Sequence, residues 1–251
     1  MRISSILVLL LFAANCFGQA SFPNKGRLYF ERKVGQITLL EMNSKKEEES
    51  FWTEEFKKNF PRIITDYFIL DFDQQHSNYK KEKENKDNKY IYQQFNTPKS
   101  DFVFQDLAGN TTTMSRLVFE KTYLVRDSLQ KYDWKISGET RDIAGFECRK
   151  ATAKIADSVV VVAFYTDQIP VTGGPENFNG LPGMILGIAV PRLALTIFAT
   201  KLELTNPDLT TTHPAPKNKK YVSRITIENE LEKSVKDWGE NASLFKWMTI
   251  L

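Results

Sequence analysis

From Gly26 onward the chain runs in short stretches rich in Val, Ile, Phe, Tyr and Thr, alternating apolar with polar and broken by Gly, Pro, Asn or charged punctuation. That period-two pattern predicts antiparallel strands. Residues 26–41 read as one or two opening strands with Leu28 and Phe30 on one face. Residues 64–82 set Tyr67, Ile69 and Asp71 against Phe68, Leu70 and Phe72, ending in a charged tip. Runs over 89–96, 101–109, 111–125, 131–140, 146–156, 158–166, 183–190 and 193–204 continue in the same manner. The expected fold is mainly β, a single curved antiparallel sheet or half-barrel of about ten strands whose apolar face is turned away from water.

Two stretches depart from this rhythm. Phe51, Trp52 and Phe56 suit a short helix near 50–60 that stops before Pro61. A second helix is expected near 227–238, with Thr226 as N-cap, Glu228 and Glu230 in the first turn, Leu231, Val235 and Trp238 on one face, and Gly239 as the stop. No internal repeat or long linker divides the chain, so residues 21–251 read as one β-rich domain.

The N-terminus leads to the expectation that this domain is exported from the cytoplasm. Arg2, the apolar run Ile6 to Ala14, and the small residues Gly18 and Ala20 form a signal peptide over residues 1–20, cleaved after Ala20. The run falls short of the roughly 20 residues a membrane span needs. Cys16 lacks the small preceding residue and the upstream Leu of a lipidation site, because Asn15 and Ala13 stand there. A soluble periplasmic or envelope location is therefore expected, with no transmembrane span in the mature chain. Cys148 is then the remaining cysteine, on an alternating segment where it reads as a small buried hydrophobe.

The formal net charge of +3 is spread along mixed-sign runs, which excludes the basic stripe that a nucleic-acid partner requires. His76 and His213 stand far apart, and the group Asp71, Asp73 and His76 reads as charge at a strand end, so no metal or cofactor is expected. No G-x-S-x-G elbow, P-loop or dinucleotide motif occurs, so no catalytic residue is assigned.

What remains is the segment "IPVTGGPENFNGLPGMILGIAV". Pro170 ends a strongly β-forming run, and Gly173, Gly174 and Pro175 reverse the chain. Leu181-Pro182-Gly183-Met184 suits a type II turn, next to Gly180, where the backbone has room for close approach. Phe178 and Leu181 are expected to tuck inward. The prolines remove N–H donors from any phosphate cradle, leaving two readings: an ordered corner between core strands, or a binding loop.

This segment resembles the signature of the GLPGLI family, exported proteins of Bacteroidetes-type bacteria, with Met184 where the family has Leu. The preceding blocks "WKISGETRDIAGFECRKATAKI" and "VVAFYTDQIPVTGGPENF" are similar to that family too, with Phe164 in place of a Trp. The resemblance implies export to the envelope and a β-rich fold, with an architecture like that of half-barrels that carry lipoproteins or hydrophobic molecules. It brings no activity and no catalytic residues. The expected function is non-enzymatic binding or carriage of an apolar ligand or peptide segment. The alternative is an accessory subunit of an outer-membrane machine, followed by a hydrolase built from carboxylates gathered by the fold.

Overall fold

The apolar and polar alternation becomes a single sheet with twelve strands among the described residues. The computed structural model describes residues 22–43, 51–91, 102–118, 121–156, 159–209 and 220–238, with 242, 243, 246 and 249 beyond them. The signal segment with Cys16, residues 92–96, His213 and Gly239 lie outside the described residues. The strands are β1 (Gly26–Val34), β2 (Ile64–Phe72), β3 (His76–Lys83), β4 (Phe102–Asp106), β5 (Thr111–Val118) and β6 (Lys121–Ser128), then β7 (Lys135–Ile143), β8 (Phe146–Ala156), β9 (Val159–Thr166), β10 (Met184–Val190), β11 (Leu195–Glu203) and β12 (Tyr221–Val222). Their order is β12-β6-β5-β4-β3-β2-β1-β11-β10-β9-β8-β7. Two meanders thus meet where β1 pairs with β11, and the sheet is open, with β12 and β7 at its edges.

The strand count exceeds the expected ten for local reasons. Residues 64–82 fold into a hairpin because Asp73 Oδ1 accepts the backbone N–H of Gln75 and of His76, both at 2.7 Å, and so closes the turn. Residues 111–125 also divide, with Val118 opposite Lys121 in the register. Lys89 to Ile91, expected to open a strand, have no strand structure.

The second half of the first expected strand pair is a helix, α1 (Gln36–Asn43). Gln36 fixes its start. Its buried amide donates to the carbonyls of Pro61 at 2.6 Å and Lys89 at 2.9 Å, and its oxygen accepts from Ile91 N–H at 3.0 Å. A fully satisfied buried amide holds three segments together, which outweighs the strand propensity of Ile37 and Leu39. The helix expected near 50–60 is α2 (Phe51–Asn59).

The last helix, α3 (Arg224–Val235), begins before Thr226, with Ser223 at the N-cap and no acidic residue in its first turn. Its N-terminus is closed from outside, by Asp127 Oδ2 accepting the N–H of Arg224 at 3.0 Å. The buried stripe is Ile227, Leu231 and Val235, while Trp238 lies past the helix end and is exposed. No helix among the described residues is long and apolar enough to cross a membrane.

Burial follows parity closely in β1 and β9, where Leu28, Phe30 and Val34, and Val159, Val161 and Ala163, are almost wholly inaccessible. Each large apolar side chain buried this way contributes roughly 1.5–3 kcal/mol. These side chains, with those of α3, line one continuous core.

Candidate functional site

The chain between β9 and β10 enters that core. Of the nine residues singled out in the loop, Gly173, Gly174, Pro175, Phe178, Leu181 and Gly183 are buried, and Pro170, Gly180 and Pro182 face solvent. A buried loop must pair its backbone internally. Here Val171 N–H donates to Ile169 O at 2.8 Å and Gly183 N–H to Leu181 O at 2.8 Å, so Pro170 and Pro182 each sit at the centre of a three-residue turn. Met184 N–H donates to Ile169 O at 3.0 Å, Ile185 N–H to Gly173 O at 2.9 Å, and Phe178 N–H to Pro175 O at 3.2 Å.

The type II turn expected at Leu181 to Met184 is therefore absent. Met184 N–H, which would close that turn onto Leu181, is taken by Ile169, and Gly183 has φ +146 instead of a value near +80°.

The tip of the loop reaches the other half of the sheet. Six strand positions separate β10 from β5, roughly 30 Å in a flat sheet. Contact between them requires the sheet to curl. Asn177 Oδ1 accepts from the Thr112 hydroxyl at 3.3 Å, and Asn177 Nδ2 lies 3.4 Å from the sulfur of Met114. Arg116 donates to Glu176 at 3.0 Å, each side chain only 9% exposed. Thr112, Met114 and Arg116 occupy alternate positions of β5, so one face receives all three contacts. Glu176 holds φ +53, a conformation that costs a non-glycine residue about 1 kcal/mol or more and persists where surrounding contacts over-determine it.

Aromatic residues close the side. Phe178 packs against Tyr132 and Trp134, with ring centroids 5.4 and 6.5 Å away, and Trp134 Nε1–H donates to Asn179 O at 2.9 Å. Burial pushes the Tyr132 hydroxyl well above its ordinary range, with Glu176 adding to the effect and Arg224 and Arg116 opposing it. The arrangement is a clamp, whose apolar root belongs to β9–β10 and whose polar tip docks on β5.

The other sequence candidates do not join it. Asp71 accepts from Arg27 at 2.6 and 3.0 Å, whereas Asp73 closes the β2–β3 turn and lies 3.2 Å from His76 Nδ1. Asp71 and Asp73 are thus spent on separate partners. A depression of about 350 Å³ opens at that turn, lined by Asn24, Lys25, Asp73, Gln74 and Gln75, none of them a residue of the loop.

Cys148 is fully buried, and burial pushes its thiol up to about 12. Iodoacetamide at pH 8 is expected to label it in the unfolded chain and, in the native protein, more slowly by on the order of a hundredfold or more. Equal rates followed by mass spectrometry would refute that burial.

Arg116, Tyr132 and Trp134 escaped the sequence reading. Arg116 carried one signal: it shares a strand face with Met114 and Val118, and a charge within an apolar stripe calls for a buried counter-charge. Tyr132 and Trp134 carried none, since their partners lie 45 or so positions along the chain.

A family described as "Protein of unknown function (Porph_ging)" matches residues 153–187, which cover the end of β8, then β9, the whole loop and the start of β10. No curated protein matches the sequence. Among solved structures, PNGF-II in two crystal forms aligns with a TM-score of 0.53 and 15% identity over 84% of this chain. The chain spans about a third of the length of that protein, 33% in one form and 34% in the other. An uncharacterized conserved protein from Thermus thermophilus aligns with a TM-score of 0.37 and 8% identity, over 78% of this chain and 90% of its own. The PNGF-II likeness concerns the fold alone.

Proposed function

We propose that this is an exported, non-enzymatic envelope protein whose curled sheet is a rigid scaffold for a protein partner. The observation that carries this reading is the position of the loop. An apolar carrier needs space held open beneath its mouth, whereas Phe178, Leu181, Ile169 and Val171 fill the interior at that point. Recognition is thereby moved to the outside of the sheet.

The surface that fits is the edge strand β7. It begins beside the loop, because Trp134, which holds Asn179, immediately precedes Lys135. Its residues before Ile143 are exposed except the half-buried Ser137, and Ile136 is an exposed apolar side chain. Edge N–H and C=O groups and an apolar side chain are what an added strand or docking subunit uses. The bulge between Ile136 and Thr140, with charges at Glu139, Arg141 and Asp142, guards the same edge against unselective pairing.

Photo-crosslinking groups placed singly at Ile136, Glu139 and Pro182 test this in cells of the source organism. The expected result is one discrete adduct of constant mass from the β7 positions, the adduct at Glu139 being lost when Ile136 is changed to Lys. Copurification of a stoichiometric apolar molecule by native mass spectrometry, without any protein adduct, would return the carrier reading to first place.

A further inference from the structure

Arg27 and Arg224 make an internal comparison. Arg27 turns the side-on edge of its guanidinium to Asp71, with Nε at 2.6 Å from one carboxylate oxygen and Nη2 at 3.0 Å from the other. A paired fork of this kind matches the planar geometry of a carboxylate. Arg224, the first residue of α3, has the same two nitrogens shielded from solvent, and no acceptor for them occurs among the described residues. A desolvated donor left unmade costs about 1–3 kcal/mol, and more when it is charged.

Two carboxylates of the neighbourhood, Asp127 and Glu176, are committed. Asp127 spends Oδ2 on the backbone N–H of Arg224 and Oδ1 on that of Ser128 at 2.8 Å. Those bonds, the one from Arg224 first, hold Asp127 below the ordinary carboxylate range. Glu176 is held by Arg116. The Tyr132 hydroxyl, whose ring packs on Phe178, feels the charges of Arg224, Glu176 and Arg116. The N-terminus of α3 adds its own positive potential there. Arg224 as a whole is only half buried, so a ligand reaching the fork has to displace side chains at the start of the helix.

We propose that the Arg224 fork is a binding site for a carboxylate, taken side-on through Nε and Nη2 as Arg27 takes Asp71. The acid is carried by a free small molecule or by a peptide segment. The chemistry at the fork is the same for both, and the site is independent of the scaffold reading.

Calorimetric titration and thermal shift with propionate, succinate and benzoate, and with a short peptide as free acid and as C-terminal amide, test the site on the full chain. Saturable binding is expected for at least one free acid and not for the amide. Arg224→Met is expected to weaken it by about 10- to 100-fold. The same variant, freed of a desolvated charge, should be at least as heat-resistant as the wild type without ligand. Binding of the small acids assigns a free ligand, and binding of the free-acid peptide alone assigns a segment.

A downfield shift of the Arg224 Nε–H resonance on titration of the wild-type protein gives a second readout that does not depend on any variant folding. Absence of saturable binding by both sets of acids, undiminished binding in Arg224→Met, or an unmoved Nε–H at saturation would overturn the proposal.

Discussion

A Gly183→Val protein is expected to yield no soluble folded material. Gly183 has φ +146, and a Cβ built there overlaps the carbonyl oxygen of Thr166 and lies 2.7 Å from its carbonyl carbon and 3.0 Å from the Cα of Asp167. These are backbone atoms at the end of β9, and the next residue, Met184, is tied to Ile169. Relief would require opening the β9–β10 root, at the centre of the core. A cost of roughly 4 kcal/mol or more follows, a large part of a typical domain's stability.

Because the clash involves Cβ itself, Gly183→Ala should fail almost as badly, which separates it from a penalty on β-branching. Gly180→Ala is the control. Gly180 also has positive φ, +86, but its added Cβ would meet nothing nearer than Trp134 Nε1 at 3.9 Å. That substitution carries conformational strain alone, about 1 kcal/mol. Soluble yield and near-ultraviolet circular dichroism report the result. A folded Gly183→Ala protein melting within a few degrees of the wild type would refute the account.

The contrast shows which properties of the loop were legible in the sequence. Gly and Pro mark where the backbone bends, and Phe178 and Leu181 mark what turns inward, because both follow from the residue itself. The hydrogen-bond partner of Met184 does not. It lies at Ile169, so a four-residue turn rule applied to Leu181 through Met184 had no access to it. The same limit accounts for α1, where the strand-like run after Gly35 becomes helical through the contacts of Gln36 with Pro61, Lys89 and Ile91. Strand count failed more locally, at Asp73, whose carboxylate converts a single alternating run into a hairpin. The mainly β class survived these errors because the alternation extends over many independent segments.

Glu176→Gln should lower the melting temperature without changing the fold. The substitution keeps shape and backbone preference and removes the charge that faces Arg116 at 3.0 Å inside the protein. Breaking one side of a buried ion pair costs about 3–5 kcal/mol, because the remaining charge stays desolvated. With about 2–4 °C lost per kcal/mol in a domain of this size, a drop of roughly 6–20 °C is expected. Replacing both partners, Arg116→Met with Glu176→Leu, should recover most of the loss, since an apolar pair of similar volume removes the desolvated charges together.

The cycle also reads the clamp. If the loop tip holds the two halves of the sheet together, Glu176→Gln will increase amide exchange in β5 and β10 together while β1 and β2 stay protected. Exchange confined to residues 173–179 would mean that the tip is bound to the curl without maintaining it.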